Sequence, residues 1–212
     1  SGEQVPVELP EGFRGLVAST GATTFLGTLA LWAATLCRSS GQEEVVIGYP
    51  VSGREAPGVS GMIGHVTNML ALRIEVPRGG SAAALMSHTV SKSREALHHA
   101  SLPHLDILEC LAHRRHDPSY ASPLFQATMG WSREGEENWC SSSLEGQRLG
   151  AARPVELLQS YSETTVDITL EAGVAGDGRV TGNIRFSSDL FEQASIQRLA
   201  ERMCLLAAAM AE

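Results

Sequence analysis

Apolar residues follow two rhythms along this chain, and each change of rhythm marks an element. From Phe25 to Leu36 they fall on nearly every side of a helix (Phe25, Leu26, Leu29, Leu31, Trp32, Leu36), so this helix should be buried on more than one face. Thr23 or Thr24 can cap its start, it should run to about Arg38, and Gly41 stands where a left-handed residue ends a helix. Before it, residues 1–10 read as an extended lead-in, and Pro10 opens a short helix over Glu11–Ser19. Val45–Tyr49 is a short apolar run bounded by Pro50, the pattern of a buried strand. A Gly-, Ser- and Pro-rich loop follows to Gly61.

The period then changes to two. Asn68–Val76 alternates, with Leu70, Leu72, Ile74 and Val76 on one face. Ser81 caps a long helix to about His99, and Pro103 starts another to about Leu111. Leu124–Trp131 reads as a strand, and Ser132–Gln147 as a polar, acidic surface loop. Thr165–Glu171 and Arg179–Phe186 alternate on either side of the turn Ala175-Gly176-Asp177-Gly178, the clearest hairpin in the chain. Asp189–Ala211 closes with an amphipathic helix carrying Leu199, Met203 and Leu206. Helices and strands are interleaved, so the fold class is α/β: a mixed β-sheet flanked by helices. No linker is long enough to divide the 212 residues, which read as a single domain over 1–212.

Charge narrows the partners. The net charge of −8 gives no basic face for nucleic acid or an anionic membrane. The longest apolar run, Phe25–Cys37, is too short and too Thr-rich to span a bilayer, and the chain opens on no secretory signal. These features point to a cytoplasmic protein. Cys37, Cys110, Cys140 and Cys204 are far apart; the first, second and fourth sit among apolar helical residues and are expected as buried thiols.

Candidate chemistry is sparse. His98 and His99 are adjacent, but no Asp-Gly follows at the spacing that would orient a catalytic imidazole, so they read as a solvent-facing pair at a helix end. His98, His99, His104, His113 and His116 cluster in sequence, yet no cysteine or carboxylate completes a metal set. Gly53–Gly64 lacks the lysine of a phosphate-binding loop. No metal and no directly bound cofactor is expected.

Three segments carry a resemblance. Ser40-Gly41-Gln42-Glu43-Glu44-Val45-Val46-Ile47-Gly48-Tyr49-Pro50-Val51-Ser52-Gly53-Arg54, Ile63-Gly64-His65-Val66-Thr67-Asn68 running on to Arg73, and Ser122-Pro123-Leu124-Phe125-Gln126 occur in the order of the C-terminal half of a nonribosomal peptide synthetase condensation domain. The similarity runs from about Thr23 to Leu206. It departs at His65, which replaces an aromatic position, and at Ala100, Ser101 and His104 in the segment resembling H-Q-D-x-P-F. His116 and Ala121 also depart, in the segment resembling R-D-x-S-R-x-P-L-F-Q.

The resemblance implies one half of the chloramphenicol acetyltransferase-like fold, serving as one wall of a V-shaped cleft. That family's reaction depends on His-His-x-x-x-Asp-Gly in the N-terminal half, and nothing in this sequence matches it. No catalytic residue is therefore assigned. Arg54, His65, Asn68, His99 and Asp117 are the candidate cleft or loop positions, and Trp139 the candidate partner contact. Arg54 could pair with an acidic group or cap a helix end. Asn68 could tie a loop or line a channel, and Asp117 before Pro118 could cap a turn.

The expected role is a non-catalytic docking platform for an adenylation domain, with a peptidyl carrier protein and its phosphopantetheine arm as further partners. The alternative is half of an active enzyme completed by an N-terminal half, forming amide bonds between carrier-bound aminoacyl groups. A third reading is an independent acyltransferase or small-molecule binder on a related fold.

Overall fold

The computed structural model describes residues 2–54, 58–112, 124–132 and 166–211. Its elements are β1 (Gly2–Glu8), α1 (Gly12–Ser19), α2 (Thr24–Ser40), β2 (Glu44–Val51), β3 (Asn68–Glu75), α3 (Ala82–His98), α4 (His104–Ala112), β4 (Ala127–Ser132), β5 (Ile168–Val174), β6 (Val180–Ser187) and α5 (Gln193–Ala211). The strands form one sheet in the order β1-β6-β5-β4-β2-β3. β4 runs parallel to both β2 and β5, and the remaining pairs are antiparallel. The mixed sheet expected from the interleaved pattern is therefore present.

Register explains which face is buried. Val5, Ile184, Leu170 and Met129 stand opposite one another across four strands, and Ile47 faces Leu72. All six are buried, so this face makes the core. α2, α3 and α5 pack on it, with α1 wedged against α2 and α5. α2 is the centre of the layer. Leu29, Leu31 and Trp32 have no exposed surface, as the apolar-all-round pattern requires. Thr23 Oγ1 accepts from the Leu26 amide at 3.2 Å, and Gly41 ends the helix at φ +75°. Gly27 lets the crossing with α1 close, because a Cβ there would strike the Val17 side chain. The hydroxyl of Tyr49 meets Ser93 Oγ at 3.2 Å and pins β2 to α3.

The other face alternates into polar residues. Thr128 and Thr169 share a hydroxyl hydrogen bond of 2.8 Å, and Arg185 pairs with Glu171. A shallow cavity of about 550 Å³ lies over Gly130, Gly173 and Gly182.

Several expectations shift. The N-terminal lead-in is a full edge strand, β1, hydrogen-bonded along β6. α5 starts at Gln193, four residues later than Asp189, because the Ser187 carbonyl first closes a separate turn with the amides of Leu190 and Phe191, and the Glu192 carbonyl then opens the helix. β5 begins at Ile168 and runs to Val174, where burial persists beyond the clean alternation. Cys37 is buried, and burial together with the charge of Glu44 pushes its thiol up to about 11. Cys204 is half-buried, whereas Cys110 is exposed, correcting the expectation of a buried thiol. Along α4, Ile107, Leu108 and Leu111 are half-buried, and Cys110 lies off that stripe. Cys140 lies outside the described residues.

Among the described residues no single helix is long and apolar enough to cross a membrane. α1 and α2 reach that length only together, bent by 105°, and α2 is core.

Candidate functional site

The candidate residues gather where β2 leaves the sheet and β3 enters it. Gly53 sits at φ +65° with its α-carbon against the Val66 carbonyl, so the base of the loop between the strands is closed by backbone contact that only glycine permits. Arg54 works from the next position. Its guanidinium donates to the Met62 carbonyl at 2.8 Å and to the Gly64 carbonyl at 3.1 Å. Among the described residues it therefore neither pairs with an acid nor caps a helix, as the sequence allowed; it braces its own loop. The braced tip holds Met62 and Ile63 in solvent, and Ile63 is fully exposed. His65 lies exposed on the same loop.

Asn68, at the first position of β3, ties two further segments to this loop. Its Nδ2 donates to the Ala100 carbonyl at 2.9 Å and the Leu102 carbonyl at 2.8 Å. Its Oδ1 accepts from the amides of Met69 at 2.9 Å and His104 at 3.0 Å. All four hydrogen-bonding positions of the amide go to backbone, so the arrangement favours the loop-tying reading. His99 is the C-terminal cap of α3; its amide donates to Ala96 O, its carbonyl accepts from Leu102, and its ring is exposed beside His98. Arg54, His65, Asn68 and His99 thus share one end of the molecule. Asp117 and Trp139 lie outside the described residues.

His104 is the residue that the sequence pattern passed over. It starts α4 and stacks on Phe125 with ring centroids 5.4 Å apart. The Phe125 ring in turn occupies the place of a side chain at Gly48, so Gly48, Phe125 and His104 pack in series. His104 Nδ1 is buried without a hydrogen-bond partner. Burial lowers the imidazole below its ordinary value of 6.5, so the ring is neutral at pH 7. The signal for it was the His at an aromatic position of the resembling segment, which places an imidazole where a wholly apolar ring would have no orphaned nitrogen.

Among the described residues no three His, Cys, Asp or Glu side chains converge to hold a metal; His113 and His116 lie outside them. The site offers carbonyls, exposed imidazoles and an apolar tip.

The fold is a layer of helices on one face of a mixed sheet, with a braced loop at the sheet's end. The sequence profile of the condensation domain covers residues 4–212, and the chain belongs to that family. It is 32 % identical over 207 residues to phosphinothricin tripeptide synthetase PhsC of Streptomyces viridochromogenes, a match covering 98 % of this chain and 18 % of that protein. It is 30 % identical over 191 residues to malpinin synthetase of Mortierella alpina, covering 90 % and 2 %. The chain thus spans less than a fifth of these relatives.

Solved structures share the fold at low identity. The X-domain from teicoplanin biosynthesis has a TM-score of 0.84 at 20 % identity, covering 100 % of this chain and 47 % of that one. The first condensation domain of the calcium-dependent antibiotic synthetase gives 0.72 at 20 %, covering 99 % and 44 %.

Proposed function

We propose that this chain is the C-terminal half of a nonribosomal peptide synthetase condensation domain. In this reading it is a single domain over 1–212, acting as a docking platform beside an adenylation domain and not as a catalyst on its own. Coverage carries the reading: the solved condensation domain aligns with 99 % of this chain, yet only 44 % of its own length is matched. Amide formation in the family calls for His-His-x-x-x-Asp-Gly, and these 212 residues do not contain it. Arg54 and Asn68 spend their hydrogen bonds on backbone, which suits a framework more than a reacting centre.

Relatives of this fold meet other proteins. One solved structure is the complex of the X-domain and OxyB from teicoplanin biosynthesis (TM-score 0.82, 21 % identity), and another is a four-domain nonribosomal peptide synthetase. Adenylation and carrier domains are the partners this reading assigns, and the phosphopantetheine arm of a carrier would approach only a completed cleft.

A second reading, half of an active condensing enzyme, draws on Met62 and Ile63. An apolar tip braced by Arg54 and held in water suits burial against a complementary half.

Affinity capture with this chain from lysate of its source, read by mass spectrometry, separates the two. Recovery of adenylation or carrier domains without His-His-x-x-x-Asp-Gly is the expected result. Recovery of a polypeptide bearing that motif, with peptide formed on mixing, overturns the non-catalytic role.

A further inference from the structure

We infer that the cleft at the opposite end of β2 docks an acidic, amphipathic segment of a partner protein. The cleft encloses about 1360 Å³ between the end of α2, the first half of α5 and the starts of β2, β4 and β5. That exceeds the roughly 300–1,000 Å³ of an ordinary small-molecule pocket and suits a peptide segment. Leu36, Phe191, Ile196 and Leu199 supply apolar walls.

Its charges point to the sign of the occupant. Glu43 and Glu44 line the cleft, but Arg78 neutralises the first at 3.2 Å, and Arg73 the second through Nε at 3.0 Å. Asp167 also lines it as a single carboxylate, raised somewhat above its ordinary value by burial. Arg198 and Arg202 remain, one turn apart on α5 and both exposed. Arg198 donates to Ser195 Oγ at 2.9 Å, an uncharged partner, and Arg202 has no partner among the described residues. Two guanidiniums with no carboxylate partner among the described residues, set beside apolar walls and outnumbering the one unpaired acid there, match a helix bearing Asp or Glu next to Leu or Phe. This end lies the length of β2, about 25 Å, from Arg54 and Asn68, so the inference is independent of whether the chain catalyses.

The test is fluorescence anisotropy of the full chain with a labelled Leu/Glu amphipathic helical peptide and its Leu/Lys counterpart. Binding of the Glu peptide alone is expected, weakened about tenfold or more in R198E/R202E. Both arginines are exposed, so a thermal melt of the variant should match the parent. Ser39→Trp, which fills one wall, should weaken binding without changing the charge. Failure of the Glu peptide to bind, equal binding of the Lys peptide, or undiminished affinity in both variants overturns the inference.

Discussion

At the exit of β2, polar side chains bond to backbone: Arg54 holds two carbonyls and Asn68 two carbonyls and two amides. At the entry of the same strand, charged side chains pair with one another across solvent or lie beside an open cleft without a charged partner among the described residues. The difference lies in what each polar group replaces. A side chain that satisfies backbone amides and carbonyls in a part-buried loop is costly to remove, because its partners are left unpaired. An exposed ion pair contributes at most about 1 kcal/mol, because water and salt screen it. The exit end is thus built for shape, and the entry end leaves charge available for binding.

The comparison breaks most visibly at Asn68. Asn68→Ala should cost about 2–3 kcal/mol in urea unfolding by unpairing the junction of β3, α3 and α4. Ser40→Ala at the entry end, whose hydroxyl bonds are long at 3.4 Å, should cost less than about 0.5 kcal/mol. Equal losses at the two ends would remove the distinction.

Gly53→Ala comes next. A Cβ at φ +65° would meet the Val66 carbonyl, so a loss of about 1–3 kcal/mol is expected. Hydrogen exchange should show the change concentrated in the loop that carries Met62 and Ile63. Exchange unchanged in that loop would mean that Gly53 does not set its shape.

His104→Phe is the smallest and the most specific. The folded imidazole titrates below its ordinary value of 6.5 because it is buried. The unfolded chain therefore takes up the proton first as the pH falls. The stability tied to the neutral ring is fully present above about pH 6.5 and is lost as the pH drops through the folded value. Phe removes that loss together with the orphaned Nδ1, so the variant should gain about 1 kcal/mol and its melting temperature should fall less between pH 7 and pH 5. A parent and variant with identical pH profiles would show that the ring is already solvated.

Much of this was legible in the pattern of residues. The caps at Thr23 and Ser81, the stop at Gly41 and the β5–β6 hairpin depend on contacts a few residues apart, and each stands where the sequence placed it. The family was legible too, because the Ser40–Arg54 segment holds its residue types in order. The role of Arg54 was not. Its partners are carbonyls, which every residue carries, so no side chain in the sequence announces them. His104 was passed over for a related reason: its importance comes from Phe125, far along the chain, and from the absence of a side chain at Gly48.

By itself, then, the sequence determined local order: which segments are helices or strands, which faces are apolar, and which domain family they compose. Those follow from periodicity and short-range hydrogen bonding, which neighbouring residues decide. Tertiary structure alone decided that residues 2–8 join β6 as an edge strand, that Asn68 knots three segments, and that Arg198 and Arg202 overlook a cleft beside paired glutamates. These depend on which distant groups meet, and on how much water is left between them.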